Sequence, residues 1–180
     1  MIYKLILLKK YNWGDPLKTK PLSKLSTKEI IDHYEGFEGE GIFYESFENN
    51  YSKINEFIYL CKELLKNTKN QDNYRLLYLG KPNDVIPDIV KKQGVKLGYD
   101  YGGLADEYGI YSSVFQEILL GNVPELVTFK DLLNANFLFS TFGDANEYVK
   151  MHYKLTEQEK DVEMEDGMEI YEIWKLPISN

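Results

Sequence analysis

Cysteine, histidine and long apolar runs are scarce in this sequence of 180 residues, and each scarcity excludes a class of protein. The single cysteine, Cys61, cannot form an internal disulfide. The two histidines, His33 and His152, have no cysteine pair beside them, so the ligand spacing of a structural zinc site is missing. No stretch approaches the ~20 apolar residues that a membrane helix needs. The start at Met1–Lys4 has no cleavage-like flank, so we predict no signal peptide and a cytoplasmic protein.

An excess of basic charge is missing as well. Lysine and arginine number 21 against 29 aspartates and glutamates, which gives a net charge of −8. Nucleic acids and anionic membranes both require a cationic surface, so we predict that neither is a partner. A basic partner protein is compatible, because opposite charges steer association. Most of the excess lies in Glu157–Glu172, where Lys160 is the only base among eight acidic residues.

Recognisable catalytic and cofactor motifs are absent from the sequence too. There is no G-x-S-x-G elbow, and Cys61 falls on the apolar face of a predicted helix over Ser52–Lys66, where a thiol packs as a small hydrophobe. The glycines of Gly36–Gly41 follow a predicted helix and alternate with glutamates that repel phosphate. Asp161–Glu172 resembles a calcium loop only in part, because Asp166 stands where the loop needs glycine. We therefore predict no enzyme, metal or cofactor.

Apolar patterns predict a mixture of strands and helices. The expected strands are Met1–Leu8, Ile42–Phe47, Tyr74–Leu79, a short Val95–Gly98 and a closing Met168–Leu176. The expected helices begin near Ser26, Ser52, Pro87, Ser113, Thr128 and Asp144. Neither a βαβ rhythm nor a domain linker is visible. We therefore predict an α+β fold: one compact domain over 1–180, with a mixed or antiparallel sheet and several short helices packed on it.

Two smaller features bear on the core. The run Phe137–Phe139 is predicted to be buried. His152 shares a predicted helical face with Tyr148 and Val149, which indicates a packing residue more than a ligand or a general base.

The stretch Gly98–Gly109 is the most suggestive for function, because glycines, tyrosines and acids alternate in it. We expect a loop there, and two interpretations stay open: the tyrosines either pack into the core or form a hot spot for a basic partner. Together with the acidic tract it supplies the predicted partner-binding residues, which are Tyr99, Asp100, Tyr101, Asp106, Glu107, Tyr108, Glu163, Glu165 and Asp166.

The same region resembles small bacterial immunity proteins of polymorphic toxin systems. The resemblance covers about Tyr74–Leu176 and rests on Leu97–Asp100, Tyr111–Ser113 with the helix that follows, Leu132–Asn134, Leu138–Phe139 and Asp144–Tyr148. It implies a cytoplasmic, non-enzymatic protein that binds and blocks a cognate toxin domain. It assigns no binding residue, so the residues named above come from charge and aromatic content.

Three hypotheses of different kinds follow. The first is an immunity-type inhibitor of a basic toxin. The second is an enzyme that uses Asp100 with Asp106 or Glu107 as acid and base, which requires burial to raise one pKa. The third is a regulatory or structural subunit that contacts its partner through Glu157–Glu172. We favour the first because of the acidity, the 15 tyrosines and the missing catalytic motifs.

Overall fold

The computed structural model describes residues 2–9, 41–48, 58–59, 74–105, 109–119, 121–158 and 168–177. Six strands in these ranges form one sheet in the order β2-β1-β3-β6-β4-β5, and every described pairing is antiparallel. The strands are β1 Ile2–Lys9, β2 Gly41–Glu48, β3 Tyr74–Gly80, β4 Val95–Ala105, β5 Gly109–Ser112 and β6 Glu169–Leu176. The helices are α1 Asp88–Gln93, a π-helix Val114–Leu119, a 3₁₀ helix Val127–Leu132 and α2 Phe142–Glu157. The α+β prediction is confirmed.

The central position of β3 and β6 in the sheet explains why apolar patterns predict these strands. β3 and β6 lie in the middle of the sheet. The run Leu76–Leu79 of β3 is at most 1% exposed, as expected for a strand covered on both faces. The strands predicted over Met1–Leu8, Ile42–Phe47, Tyr74–Leu79 and Met168–Leu176 are all present, with ends that differ by a residue or two.

The loop predicted over Gly98–Gly109 is wrong for most of its length. β4 continues from Val95 through Gly98 to Ala105 and pairs with both β6 and β5. Glycine and aspartate have low strand propensity, so the local pattern indicated a loop. Pairing on both sides overrides that propensity. The register shifts between Lys96 and Gly98, and this bulge is where the glycine is needed.

Gly98 gives the first prediction. Its φ is +150°, and an added Cβ would lie 2.7 Å from the carbonyl oxygen of Phe139 and 2.8 Å from the Cβ of Leu138. We expect Gly98→Ala to lower the free energy of unfolding by roughly 2–4 kcal/mol, because a strained backbone and overpacking each cost about 1–3 kcal/mol. Urea unfolding followed by circular dichroism measures the change.

The matched control for Gly98 is Gly143→Ala in the first turn of α2. The nearest atom to that Cβ is Thr141 Oγ1 at 3.6 Å, so alanine fits and raises helix propensity. We expect a change within about 1 kcal/mol, toward greater stability. Equal unfolding midpoints for the two variants contradict the assignment of a special backbone to Gly98.

The helices pack on β4 to form the described part of the core. α2 begins at Phe142, two residues before the predicted start, because Thr141 is its cap: Thr141 Oγ1 accepts from the Asp144 N–H at 3.1 Å and bonds Asp144 Oδ2 at 2.6 Å. Its buried face is Ala145, Tyr148, His152 and Leu155. The helix expected after Ser113 is a π-helix instead of an α-helix.

A short turn holds the centre of this core. Phe137, Leu138 and Phe139 are at most 1% exposed, so their predicted burial is confirmed. Phe139 bonds Tyr99 of β4 through both backbone N–H···O contacts, each 2.9 Å long. The turn therefore continues the β4 ladder and fixes the aromatic side chains against it.

Several predictions fall outside the described residues. These are the helix near Ser26, the glycine-rich run before Gly41, Cys61, and all of the helix over Ser52–Lys66 except residues 58 and 59, which are helical. Within the ranges given above, no helix has the length and apolarity that crossing a membrane requires.

Candidate functional site

The structure separates the predicted partner-binding residues into three sets. Tyr99 is half-buried, whereas Asp100 and Tyr101 are 1% and 2% exposed. The prediction that this segment presents Asp100 and Tyr101 to a partner is therefore wrong, since β4 places both in the interior. The remaining residues lie outside the described ranges, namely Asp106, Glu107, Tyr108, Glu163, Glu165 and Asp166.

Tyr99 is held by a charged and an aromatic neighbour. Lys96 Nζ donates to the Tyr99 hydroxyl at 2.6 Å and lies 4.3 Å from the ring centroid. The bulge between Lys96 and Gly98 explains this contact, because one extra residue turns positions 96 and 99 to the same side. Lys96 also pairs with Glu172 of β6 at 2.7 Å, and the Phe142 ring lies 6.1 Å from Tyr99. The Tyr99 side chain is thus held in place by contacts within the protein.

The sheet brings the two acidic segments of the sequence to one end. Ala105 pairs with Gly109 where β4 turns into β5, and only three residues, 106–108, connect them. Gly102, near the end of β4, pairs with Glu169, the first residue of β6. Glu169 belongs to the acidic tract Glu157–Glu172, whose last residues form the start of β6. Both acidic segments are therefore attached at the same end of β4 and β6.

A buried acid–base cluster that sequence analysis missed lies between the π-helix and α2. We use this name for Ser113, Glu117, Tyr148 and His152, each of which is at most 3% exposed. Ser113 Oγ donates to Glu117 Oε2 at 2.8 Å, and the Tyr148 hydroxyl donates to the same oxygen at 2.5 Å. His152 Nε2 lies 3.0 Å from Glu117 Oε1. The Glu117 carboxylate of the π-helix therefore binds Ser113, just before that helix, and two side chains of α2.

Helical spacing builds this cluster. Ser113 and Glu117 are four residues apart, as are Tyr148 and His152, so each pair shares one side of its element. Burial raises the pKa of Tyr148 well above its ordinary value, and the charge of Glu117 raises it further. His152 Nδ1 is buried without a hydrogen-bond partner, and the Tyr101 ring packs edge-on against the imidazole at 5.2 Å. The predicted packing role of His152 is confirmed by its complete burial.

Asp100 is the second buried carboxylate of this region. Its oxygens make no hydrogen bond of normal geometry to the described residues. Burial raises its pKa to about 7, although the Ser112 hydroxyl and the N–H groups of Tyr101 and Val114 lie close enough to lower it. The charge of Asp100 also raises the pKa of Tyr148, which places Asp100 within electrostatic reach of the acid–base cluster.

The residues of the cluster are all buried, and the pocket that the described residues form lies elsewhere. A pocket of about 440 Å³ lies at the other end of β4 and β6 and is lined by Gln93, Val95, Lys96, Leu97, Asn136, Lys175, Leu176 and Pro177. None of these residues belongs to the cluster, and Asp100 is not among them.

Spacing alone marks the cluster in the sequence. The pairs Ser113–Glu117 and Tyr148–His152 are polar residues four apart inside apolar runs, and this spacing does not indicate that the two pairs contact each other.

Among the residues that the structure describes, no group of three His, Cys, Asp or Glu is arranged to hold a metal ion. Comparison of the chain with models of protein families, with curated proteins and with solved structures finds no match.

Proposed function

We propose that this protein is a non-enzymatic binding protein of the immunity type, which binds and blocks a cognate basic toxin domain in the bacterial cytoplasm. The observation that carries the proposal is the gathering of acidic segments at one end of β4 and β6. Ala105 pairs with Gly109 at that end, and the three residues that connect them in the sequence include Asp106 and Glu107. The tract that ends at Glu172 supplies the larger charge.

The burial of the acid–base groups supports binding over catalysis. A general acid or base must come within hydrogen-bond reach of its substrate, about 2.6–3.2 Å. Asp100, which the enzymatic hypothesis requires, is 1% exposed, and Glu117 is 3% exposed. Both carboxylates face the protein interior, so we expect a partner to contact the charged exterior and not these two groups.

Inhibition then follows from charge and shape. Carboxylates pair with lysines and arginines of the toxin, or take the place of its anionic substrate, while tyrosines supply rigid apolar area. A concentrated field of one sign raises the association rate by about 10–1,000-fold. An inhibitor that must capture a toxin before it acts benefits from that rate directly.

Co-expression tests the proposal. The toxin domain encoded beside the gene is expressed with and without this protein, and growth is followed together with recovery of a complex by size exclusion. We expect restored growth and a stoichiometric complex. If growth is not restored and no complex forms, the immunity-type function is wrong.

A charge-neutralised variant locates the binding face and gives the second prediction. Replacing Glu163, Glu165 and Asp166 by their amides is expected to slow association with the toxin by about tenfold or more at low salt, with a smaller effect at high salt. Stopped-flow fluorescence at several salt concentrations measures the rate.

The control variant carries Glu125→Gln, Asp131→Asn and Glu147→Gln. These three side chains are exposed on the 3₁₀-helix side and on α2, so the net charge changes by the same amount. We expect the control to keep most of the association rate. Equal slowing by both variants means that net charge acts without a local binding face, which contradicts the assignment of the tract.

A further inference from the structure

We propose that Asp100 and the buried acid–base cluster form a proton-linked clamp. The clamp holds β5, the π-helix and α2 against β4 while the Asp100 carboxyl keeps its proton, and it loosens when that proton leaves. The clamp is a regulatory device of the proposed binding function, and that part of the inference rests on the proposed function. Its physical basis is the Asp100 carboxyl, which is 1% exposed and whose oxygens make no hydrogen bond of normal geometry to the described residues.

Asp100 differs from the other buried carboxylate of this region in having, among the described residues, no hydrogen-bond partner of normal geometry for its oxygens. The region holds two carboxylates, Asp100 and Glu117, and a single imidazole, His152, all at most 3% exposed. Glu117 accepts from two hydroxyls and lies 3.0 Å from His152 Nε2, so its oxygens have partners inside the region. No described lysine or arginine pairs with Asp100. Asp100 is therefore the buried carboxylate of this region whose charge no described cation compensates.

The neighbours of Asp100 are polar but uncharged. β5 offers the Ser112 hydroxyl, the π-helix offers the Val114 N–H, and β4 itself offers the Tyr101 N–H. α2 contributes Tyr148, and β6 places Tyr171 opposite Asp100 in the ladder. These groups stabilise the carboxylate less than burial destabilises it, and the pKa of Asp100 is accordingly raised from 3.8 to about 7.

The sign of the effect follows from proton binding. In an open state Asp100 is solvated and titrates at its ordinary value, so the closed state binds more protons between about pH 4 and 7. Closure is then strongest in acid, weakens as the pH rises through that window, and is constant above it. Between pH 6 and 8 the population of the open state is expected to rise about tenfold.

The π-helix is the element that we expect to open first. Its hydrogen bonds are less favourable than those of an α-helix, and such segments are short and rare for that reason. Two of the three donors that act on Asp100 lie at its first residue, Val114, and just before it, at Ser112. β5 also begins at Gly109, directly after the sequence that holds Asp106 and Glu107, so opening here displaces the point where one of the acidic segments is attached.

Hydrogen exchange of the full chain, read by mass spectrometry at pH 6 and pH 8 and corrected for intrinsic rates, tests the clamp. Peptides over 109–119 and 142–157 are expected to open about tenfold more at the higher pH, while a β3 peptide over 74–80 stays unchanged. Asp100→Asn, which mimics the protonated carboxyl, is expected to remove the difference. Asp131→Asn, on the exposed side of the 3₁₀ helix, is expected to keep it.

Two results overturn the clamp: opening in the wild type that does not change between the two pH values, or a pH dependence that survives in Asp100→Asn. If that variant does not fold, a ¹³C titration of the Asp100 carboxyl in the wild type decides, with an expected midpoint near 7. A midpoint below about 5, close to that of a solvated carboxyl, contradicts the inference. No toxin enters either measurement, so failure of the clamp and failure of the immunity-type function are distinguishable.

Discussion

Glu117→Ala is expected to lower the free energy of unfolding by about 3–5 kcal/mol, the range found when one partner of a buried polar or ionic group is removed. The substitution leaves the Ser113 and Tyr148 hydroxyls and His152 Nε2 without their shared acceptor, in a region with no access to water. It also leaves a cavity between the π-helix and α2. Urea unfolding at constant pH measures the loss.

Two variants show whether the loss comes from the network. Glu117→Gln keeps the shape and one acceptor oxygen, so it is expected to cost about 1–3 kcal/mol. Glu147→Ala, on the exposed face of α2, breaks a surface pair with Lys150 and is expected to cost less than about 1 kcal/mol. A Glu117→Ala variant as stable as Glu147→Ala contradicts the role assigned to the cluster.

Because Glu117 and Tyr148 lie in one hydrogen-bond network, their effects are not additive. Tyr148→Phe removes the hydroxyl and leaves the ring, which packs against Phe129, Phe139 and Tyr101. Combined with Glu117→Gln it is expected to cost less than the sum of the two single changes, with a coupling of about 0.5–3 kcal/mol. That coupling, and not either single value, is the contribution of the contact.

The sequence predicts this fold best where one physical signal acts alone. Leu76–Leu79 is apolar throughout, and a continuous apolar run is what a central strand needs. The helix α1 is bracketed by Pro87 and Gly94, whose backbone preferences mark its two ends. In these places local chemistry and tertiary structure agree, so the boundaries agree closely as well.

Prediction fails where pairing with a distant strand decides the local structure. The glycines of β4 favour a loop, and only β5 and β6 on either side make this segment a strand. The same error made Asp100 and Tyr101 into exposed candidates for partner binding. The sequence does not predict the acid–base cluster for a related reason: Glu117 and His152 are 35 residues apart, and no spacing rule connects them.

The proposed clamp and the proposed binding face are built on one sheet. β3, β6 and β4 each pair with a strand on both sides. β5 lies at the edge of the sheet, and the π-helix that follows it is held by buried polar contacts. Segments that move in proteins are drawn from those of lower local stability, so the proposed clamp is expected to act through the π-helix and β5.

The aromatic centre of the core gives the last prediction, through a matched pair of phenylalanines three residues apart. Phe139 is fully buried, and its ring contacts Phe129 and Tyr148 at centroid distances of 6.4 and 5.3 Å. Phe142 is 37% exposed at the start of α2. We expect Phe139→Ala to cost about 3–5 kcal/mol and Phe142→Ala less than about 1.5 kcal/mol, because only the first leaves a closed cavity.

The pair also tests how the turn and β4 depend on each other. Phe139 holds Tyr99 through two backbone hydrogen bonds that alanine retains, so the loss in Phe139→Ala belongs to the side chain. Phe139→Leu fills most of the space and is expected to recover more than half of the loss, since shape-conserving apolar exchanges cost less than about 1.5 kcal/mol. Chemical denaturation of the three variants gives the comparison. If Phe142→Ala proves the more damaging change, the core is centred on the start of α2, and the packing of the turn against β4 is not what holds the helices in place.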